Sequence, residues 1–421
     1  MAAKLWLQVE VVGCPTVCRH CWAQGIPYPA MPIRDVAWVL EQAHRFCDDH
    51  GLEFGAYPMH ELAAHPQAAE LLRLFADHVG AAEFEPLSTT GVPLALRQDW
   101  QQVLAAAARL GTTTVWMAFH GLGVEHDRQV NRSGAFTETC LAIQRVHAVG
   151  LRAGANVFVT TVNAGQAEQL LGVLQRLELD GMWWGPATFY PTPRGRRNER
   201  LRPQLSELLP LADRIRQLSP FHRDAWANLA AYTEAAWVAR ALAGDWPPQL
   251  AEAEPAQGDQ ALPLVCRPGL ELHTGVAGRY RERHGNLRAD GAQAVLGRAL
   301  EQGGRSVDAV WFRPEPLPSI GELAARHGDR TGQGVHFTET SVRYLWLTRP
   351  SDAPPPSSTR GRGMSERLAW CPAISVDACP SITPRRHHGP PRRSWRPACL
   401  RGAMPPLGRV KHRMGLCALE L

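Results

Sequence analysis

The sequence predicts an α/β fold built around a parallel β-sheet. Through the first 200 residues, apolar segments of strand length alternate with longer segments whose apolar residues recur every three or four positions. Six such units follow one another, and glycines stand where the helices are expected to end. This alternation is typical of βαβ units. Six units suit either an open doubly wound sheet or a partial (β/α)6 TIM-like barrel, and both place functional residues beyond the C-terminal ends of the strands.

Local patterns define the elements of this core. The predicted strands are Leu5–Val12, Leu52–Tyr57, Glu83–Ser88, Thr113–Phe119, Leu151–Thr160 and Gly181–Tyr190. The predicted helices are Ile33–His50, Pro66–Val79, Gln98–Leu110, Thr137–Val149 and Ala164–Leu177. Glycine favours the left-handed cap that ends many helices. Such caps are therefore predicted at Gly51, Gly80, Gly111 and Gly150.

The chain divides by composition into four predicted parts. Residues 1–200 form the α/β core, and residues 201–263 form a helical segment with a Pro/Ala/Glu-rich linker. Two helices are predicted within 203–243, the second carrying both Trp226 and Trp237. Residues 264–349 are predicted to form a small α+β extension that begins with a strand or hairpin over Val265–Gly275. Residues 350–421 are rich in Pro and Arg without periodicity, which predicts a disordered basic tail.

Composition excludes several classes of protein. No run approaches 18 apolar residues and no signal-peptide pattern is present, so we expect a cytoplasmic protein without a membrane partner. The formal net charge is +5, and the basic excess lies in the tail. Nothing in that tail resembles a nucleic-acid-binding module, so no nucleic-acid partner is expected. The ten cysteines favour metal binding or burial over disulfides in this setting.

Three cysteines directly follow the first predicted strand. Cys14, Cys18 and Cys21 are spaced C-x3-C-x2-C. Three thiolates on one short loop can hold three corners of a [4Fe-4S] cluster and leave the fourth iron open, since such clusters are usually held by four cysteines. The alternatives are a structural zinc site, for which His20 is a candidate fourth ligand, and three unrelated thiols. Structural zinc normally uses a second ligand pair roughly 12–20 residues away, and the sequence has none there.

The cysteine motif resembles the signature of the radical S-adenosylmethionine (SAM) superfamily, in which an aromatic residue stands beside the last cysteine, as Trp22 does here. The resemblance covers about residues 5–200 and implies a partial (β/α)6 barrel of the radical SAM type. It also implies that the three cysteines hold one [4Fe-4S] cluster. The SAM contacts that it implies are Trp22, Glu61, Ser88, Thr90, Arg132 and Asn156.

Each implied SAM contact rests on a short segment after a predicted strand. Glu61 lies in Met59-His60-Glu61, which resembles the family's Gly-Gly-Glu-Pro segment and implies that Glu61 holds the methionine ammonium. Ser88 and Thr90 lie in a Ser-Thr-Thr-Gly turn resembling the family's Ser-Thr-Asn-Gly turn. Arg132 is assigned to the SAM carboxylate, since a guanidinium fork suits that group. Asn156 is assigned to a position near the ribose.

Three features depart from the family pattern or stay open. Met59 and His60 replace two glycines, and His120 replaces the usual acid after the fourth strand. The run from Arg194 to Arg197 either lies near the adenine, as in the family, or forms a solvated surface.

The C-terminal part carries a second, degenerate resemblance. Cys266-Arg267-Pro268-Gly269 resembles the start of a SPASM- or twitch-like extension, which binds further Fe–S clusters in many peptide-modifying family members. No cysteine occurs between residues 267 and 370. Because one thiolate cannot hold a cluster that needs four, we predict that the protein has a single cluster.

These resemblances imply a radical enzyme. The cluster would reductively cleave SAM to a 5′-deoxyadenosyl radical, which abstracts hydrogen from a peptide or small-metabolite substrate. The implied partner is a flavodoxin- or ferredoxin-type electron donor. The alternative is a zinc-binding or catalytically inactive scaffold protein that keeps the barrel fold.

Overall fold

A computed structural model describes residues 4–84, 87–219, 222–244, 261–276, 278–303, 319–327 and 332–348. The described strands are β1 Lys4–Val12, β2 Glu53–His60, β3 Leu87–Thr89, β4 Thr114–Phe119, β5 Arg152–Val159, β6 Gly181–Pro186, β7 Ala261–Cys266, β8 Glu271–Val276 and β9 Arg279–Asn286. The predicted linker in 245–260 and the predicted tail from residue 350 lie outside the described residues.

The α-helices lie between and after these strands. Those of the core are α1 Ile33–His50, α2 Ala68–Val79, α3 Val92–Leu96, α4 Trp100–Arg109, α5 Val124–Val130, α6 Ala135–Ala148 and α7 Ala167–Arg176. Those that follow are α8 Arg197–Arg200, α9 Leu205–Leu208, α10 Ala212–Leu218, α11 Arg223–Ala227, α12 Glu234–Ala243, α13 Ala292–Gly303, α14 Ile320–His327 and α15 Glu339–Thr348. Among the described residues, no helix is long and apolar enough to cross a membrane.

The strands form two sheets. One has the order β2-β1-β7-β8-β9 and the other the order β3-β4-β5-β6. β1 pairs in parallel with β2 and β7, and β3 to β6 are parallel throughout. The predicted α/β class with a parallel sheet is therefore confirmed. Between β2 and β3 the described residues form no ladder, so closure into a partial barrel stays a prediction.

Helix α1 matches its predicted bounds at both ends. Its cap Gly51 has φ +65° and donates its N–H to Asp48 O and Cys47 O. The other three predicted glycine caps also have positive φ, at Gly80, Gly111 and Gly150. A residue with a Cβ is strained in that region, which is why these glycines mark the helix ends so reliably.

Three predicted elements extended too far. The third strand begins at Leu87 rather than at Glu83, because Ala81–Phe84 forms a 3-10 helix. β6 ends at Pro186 rather than at Tyr190, because its partner β5 ends at Val159. The single helix predicted around Trp226 and Trp237 is two helices, α11 and α12. They are separated because Thr233 adopts an extended conformation and its hydroxyl accepts a hydrogen bond from Ala236 N–H, which starts α12 as an N-cap.

The predicted hairpin after residue 264 exists and joins the sheet of the core. β7 and β8 pair antiparallel, and β9 continues the pair. β7 also pairs in parallel with β1, placing Val265 beside Gln8 and Cys266 beside Val9. The three boundaries between the four predicted parts stay predictions, but β1 has a C-terminal strand as its direct neighbour.

The sheet formed by β3 to β6 has one face that is buried against the helices and an opposite face that is less buried. On β5, Ala155 and Val157 pack into the core against the helices and are at most 1% exposed. Asn156 and Phe158 point to the opposite face and are only half-buried. Alternation of this kind follows from the two-residue period of a strand. The open face is therefore where a ligand can meet side chains of the sheet.

Candidate functional site

The cysteine loop begins where β1 ends, and its first half is held against the chain that returns from it. Gly13 donates its N–H to Tyr28 O at 3.3 Å, and Cys14 donates to Ile26 O at 3.1 Å. A Cβ on Gly13 would lie 2.2 Å from Tyr28 N and 2.5 Å from Ile26 O. Backbone atoms on both sides leave no room for a side chain, so this position requires glycine.

Replacing Gly13 by alanine is expected to displace the loop. The steric conflict with Tyr28 should destabilise the protein by about 1–3 kcal/mol and lower its capacity to bind iron. Gly165→Ala is the matched control, since a Cβ there meets nothing within 4 Å. Unfolding midpoints and iron content of both variants check the prediction. Gly13→Ala protein that equals the control in both respects would contradict it.

The second half of the loop is tied to helix α5. Val17 donates its N–H to Val130 O at 3.1 Å, and Arg19 donates to Gln129 O at 2.8 Å. These carbonyls belong to the last turn of α5, where helix carbonyls lack partners within the helix. Two N–H groups of the loop therefore donate to free carbonyls at the end of α5, and these hydrogen bonds fix the backbone on both sides of Cys18.

Cys14 and Cys18 share a hydroxyl neighbour and are both buried. The Thr16 hydroxyl lies 3.1 Å from Cys14 Sγ and 3.4 Å from Cys18 Sγ. Burial raises the pKa of Cys14 to about 12, and the charge of Glu61 adds to the rise. Burial and then the charge of Cys21 raise the pKa of Cys18 to about 12. Without a cation these thiols stay protonated, and a bound metal centre would stabilise their thiolates.

The three cysteines supply the type of ligand that an iron–sulfur cluster uses. Thiolates of such a cluster bind different iron atoms. Among the described residues, no three His, Cys, Asp or Glu side chains are grouped so that they could hold one metal ion. Cys14, Cys18 and Cys21 fit a cluster by donor type, and their assignment as its ligands stays a prediction. The imidazole of His20, the ligand that the zinc alternative requires, packs against His120 with ring centroids 4.2 Å apart.

Glu61 joins the ends of β2 and β3 beside the cysteine loop. It is 2% exposed. Its Oε1 accepts a hydrogen bond from Thr89 Oγ1 and its Oε2 from Thr90 N–H, both at 2.7 Å. Burial raises the pKa of Glu61, and these hydrogen bonds oppose the rise. The Thr90 hydroxyl is also buried and lies beside the Glu61 carboxylate. The predicted ligands Glu61 and Thr90 therefore lie together.

Ser88 and Asn156 lie on the open face of the second sheet. Ser88 is opposite Trp116 on β4, and Asn156 lies between Ala118 and Trp183 on its two neighbouring strands. Both side chains are half-buried. Their placement on that face agrees with a role in ligand binding, and their contacts to SAM stay predictions.

Arg132 is already engaged. Its Nε and one terminal nitrogen donate to the two carboxylate oxygens of Glu138, each at 2.8 Å. The glutamate is only six residues away, on helix α6. A bidentate pair fills the guanidinium fork, so the predicted contact with the SAM carboxylate requires this pair to open.

Arg194 has a larger part in the loop than its sequence context indicates. Its guanidinium donates to Gly25 O at 2.8 Å and to Cys18 O at 3.1 Å, with Gln24 Oε1 at 3.4 Å. Arg196 and Arg197 are exposed. The three arginines are equivalent by composition, and only their tertiary contacts single out Arg194. The signal available from the sequence was the Pro-Thr-Pro-Arg-Gly stretch after β6.

Removal of the Arg194 guanidinium is expected to loosen the cysteine loop. Hydrogen bonds to a charged group contribute about 1.5–3 kcal/mol, so Arg194→Gln should expose the amides of Cys18 and Gly25 to faster hydrogen exchange. The exposed neighbour Arg196 supplies the control variant Arg196→Gln. Equal exchange of the loop amides in both variants would show that Arg194 does not hold the loop.

Trp22 packs where the cysteine loop meets the segment after β6. Its ring stacks on Tyr190 with centroids 5.3 Å apart and an interplanar angle of 30°. Two residues on, Gln24 donates to Thr192 Oγ1 at 2.9 Å. The segment after β6, which the sequence predicts as the end of the sixth strand, therefore packs against the cysteine loop.

Three histidines lie beside the loop. The His120 ring lies between His20 and Phe158, and the His120 N–H donates to His126 Nδ1 at 3.2 Å. Burial, followed by the neighbouring histidines, holds the pKa of His120 well below its usual value. Burial is also the main cause that lowers the pKa of His20 and His126 to about 4. The cluster is therefore neutral near pH 7.

Comparisons with known proteins find likeness only in structure. No protein-family model matches the chain, and no curated protein matches it. Streptococcus suis SuiB bound to precursor peptide SuiA is 12% identical over 75% of this chain, with a TM-score of 0.44. The match covers 66% of SuiB, so the chain spans slightly less than two thirds of that protein.

Two further structures match over different lengths. anSMEcpe with bound AdoMet and Cp18Cys peptide is 12% identical over 82% of this chain and 95% of its own, with a TM-score of 0.42. Escherichia coli coproporphyrinogen III oxidase, HemN, is described as a radical SAM enzyme. It is 15% identical over 55% of this chain and 59% of its own, with a TM-score of 0.37.

Proposed function

We propose that this chain is a radical SAM enzyme with one [4Fe-4S] cluster held by Cys14, Cys18 and Cys21. The observation that carries the proposal is the position of three thiols on one anchored loop beside the buried carboxylate of Glu61. That loop follows a parallel strand at its C-terminal end, where α/β folds place their sites. A cluster held by three cysteines keeps one iron free for a further ligand.

The two sheets are, in this proposal, parts of a partial (β/α)6 barrel. Glu61 supports this arrangement because its carboxylate joins the ends of β2 and β3 where the ladder is interrupted. The open faces of both sheets then line one interior, with Ser88 and Asn156 on its wall. The segment from β7 to β9 corresponds to the SPASM-like extension without its cluster.

The cofactors supply the reactive groups, and the protein binds and orients them. A cluster and SAM bound together supply one-electron cleavage of a C–S bond in SAM, which yields methionine and a 5′-deoxyadenosyl radical that abstracts hydrogen from the substrate. In this chain Glu61 accepts hydrogen bonds from the SAM ammonium, and the Thr90 hydroxyl contributes a further polar contact. Asn156 and Ser88 bind the ribose. Burial of these groups excludes water and strengthens their electrostatic interactions.

The substrate in this proposal is a peptide or a small metabolite, and reduction comes from a flavodoxin- or ferredoxin-type protein. The resemblance of the Cys266 segment to a SPASM extension favours a peptide. We place the reaction in the cytoplasm, where thiols are kept reduced.

Metal content separates this function from the alternative of a zinc-binding scaffold. The full chain, reconstituted without oxygen with iron and sulfide, is expected to bind about four iron atoms through these cysteines and to turn brown. One equivalent of zinc retained in place of iron would favour the scaffold and overturn the proposal.

A further inference from the structure

The face of the first sheet that points away from the helices carries a cluster of polar side chains that the proposed SAM site does not use. It centres on Glu10, which is 2% exposed near the end of β1. The carboxylate accepts a hydrogen bond from the Tyr280 hydroxyl. It lies 3.4 Å from His60 Nε2 and 3.8 Å from Arg267 Nε. The Glu10 carboxylate is therefore the meeting point of side chains from β1, β2 and β9 and from the turn after β7.

The register of the sheet puts this cluster on the face away from the helices. Val9 and Cys266 are paired and both are buried in the core on the helix side. Their neighbours point to the other face, where Gln8, Val265 and His273 form a row across β1, β7 and β8. His273 packs on the Tyr280 ring at 5.5 Å between centroids. The Arg267 guanidinium lies over the same ring at 4.6 Å.

Several buried polar atoms in this cluster have hydrogen-bonding capacity that no described residue uses. The Tyr28 hydroxyl, Arg267 Nε and both ring nitrogens of His273 make no hydrogen bond within the described part of the chain. His273 is 8% exposed, and its Nε2 lies 3.9 Å from Glu271, beyond hydrogen-bonding distance. Buried polar groups in folded proteins are nearly always satisfied. Four such atoms in one place indicate a ligand that supplies the missing partners.

The unused atoms define the chemistry of that ligand. The Arg267 nitrogen is a donor only, a phenol donates readily, and a neutral imidazole has one donor. The charged side chains nearest the cluster have a net charge of +1, which favours an anionic ligand. The positive ones are Arg267, Arg279, Arg281 and Arg283, and the negative ones are Glu10, Glu271 and Glu282. The Arg267 side chain is 42% exposed and so remains accessible. A carboxylate suits a guanidinium flanked by further donors.

We propose that Tyr28, Arg267 and His273 form a substrate subsite that binds a carboxylate. Glu10 orients this subsite by holding Tyr280 and Arg267 in place. The proposal rests on the function proposed above only in calling the ligand a substrate. The β7–β9 segment would then select acidic substrates, and this role needs no second iron–sulfur cluster.

Two matched probes test the subsite on the full chain without iron or SAM. N-acetylphenylalanine carries the carboxylate, and N-acetylphenylalaninamide differs only in lacking its charge. Ligand-observed NMR titration is expected to show the acid binding at least about tenfold more tightly than the amide, since a charge-assisted hydrogen bond contributes that much. Equal binding of the two probes, or no binding of the acid, would overturn the proposal.

Variants locate the binding. Arg267→Gln is expected to abolish the preference for the acid, and Tyr28→Phe, which removes only a hydroxyl, should reduce it severalfold. Arg288→Gln is the control, because Arg288 pairs with Asp35 on helix α1 and should leave the preference intact. A preference that survives in both Arg267→Gln and Tyr28→Phe proteins would refute the assignment. The titration is done without iron and SAM. Its result therefore does not depend on whether the protein cleaves SAM.

Discussion

Cys18→Ala protein is expected to lose its iron–sulfur cluster, whereas Cys266→Ala protein is expected to keep it. Cys18 lies on the anchored loop near Cys14 and Cys21, and its carbonyl is held by Arg194. Loss of one of three ligands leaves two thiolates, too few to retain the cluster. Cys266 is fully buried in the core beside Val9 and serves packing.

Iron content and visible absorbance after anaerobic reconstitution measure this difference. Cys140→Ala is a further control, since Cys140 is a half-buried thiol on α6. Thermal midpoints show whether Cys266→Ala has merely unfolded. Equal iron loss in the Cys18 and Cys266 variants, with both folded, would contradict the assignment of a single cluster to the loop.

Glu61→Gln protein is expected to bind iron normally and to bind SAM far more weakly. The substitution keeps the shape of the side chain and removes the charge that would pair with the SAM ammonium. Hydrogen bonds to charged groups contribute about 1.5–3 kcal/mol, which corresponds to a loss of roughly 10- to 150-fold in affinity. Equilibrium binding of SAM to the reconstituted variant measures this loss. Unchanged affinity would remove Glu61 from the SAM site.

The same variant has an expected pH signature in the protein without SAM. Burial raises the pKa of Glu61 above its ordinary value of 4.5 in the folded state. The folded state therefore binds this proton more tightly than the unfolded state, so Glu61 costs stability as the pH rises from about 4.5 through its raised pKa. Glu61→Gln should therefore gain stability relative to the parent chain as the pH rises above 4.5, as measured by unfolding at a series of pH values. A relative loss of stability as the pH rises would contradict the assigned cause.

Local patterns were enough to predict the elements that support the site. The bounds of α1 and the position of Gly51 follow from periodicity and from the backbone needs of a helix end. The proximity of Glu61 to Thr90 could be anticipated because Glu61 follows the second strand of the βα repeat and Thr90 the third, and consecutive strands of such a repeat end on the same side of the fold. The sequence was therefore informative where the cause lay in the backbone geometry of a helix end or in the βα repeat.

Side-chain partners from distant parts of the chain could not be predicted. Arg194 meets the cysteine loop across about 170 residues, and Tyr280 meets Glu10 across 270. Arg132 was assigned to a ligand although Glu138 competes for it within six residues. Helical spacing does not place this pair on one face, and packing of α5 against α6 decides it. Such contacts depend on tertiary geometry that periodicity does not encode.

Cleavage of SAM tests the central claim most directly. The full chain, reconstituted with iron and sulfide and reduced with dithionite in the absence of oxygen, should convert SAM to methionine and 5′-deoxyadenosine, both measured by mass spectrometry. Cys18→Ala protein treated identically should produce neither. An iron-loaded, folded protein that forms no 5′-deoxyadenosine above the level of that variant would contradict the assignment of radical SAM chemistry to Cys14, Cys18 and Cys21.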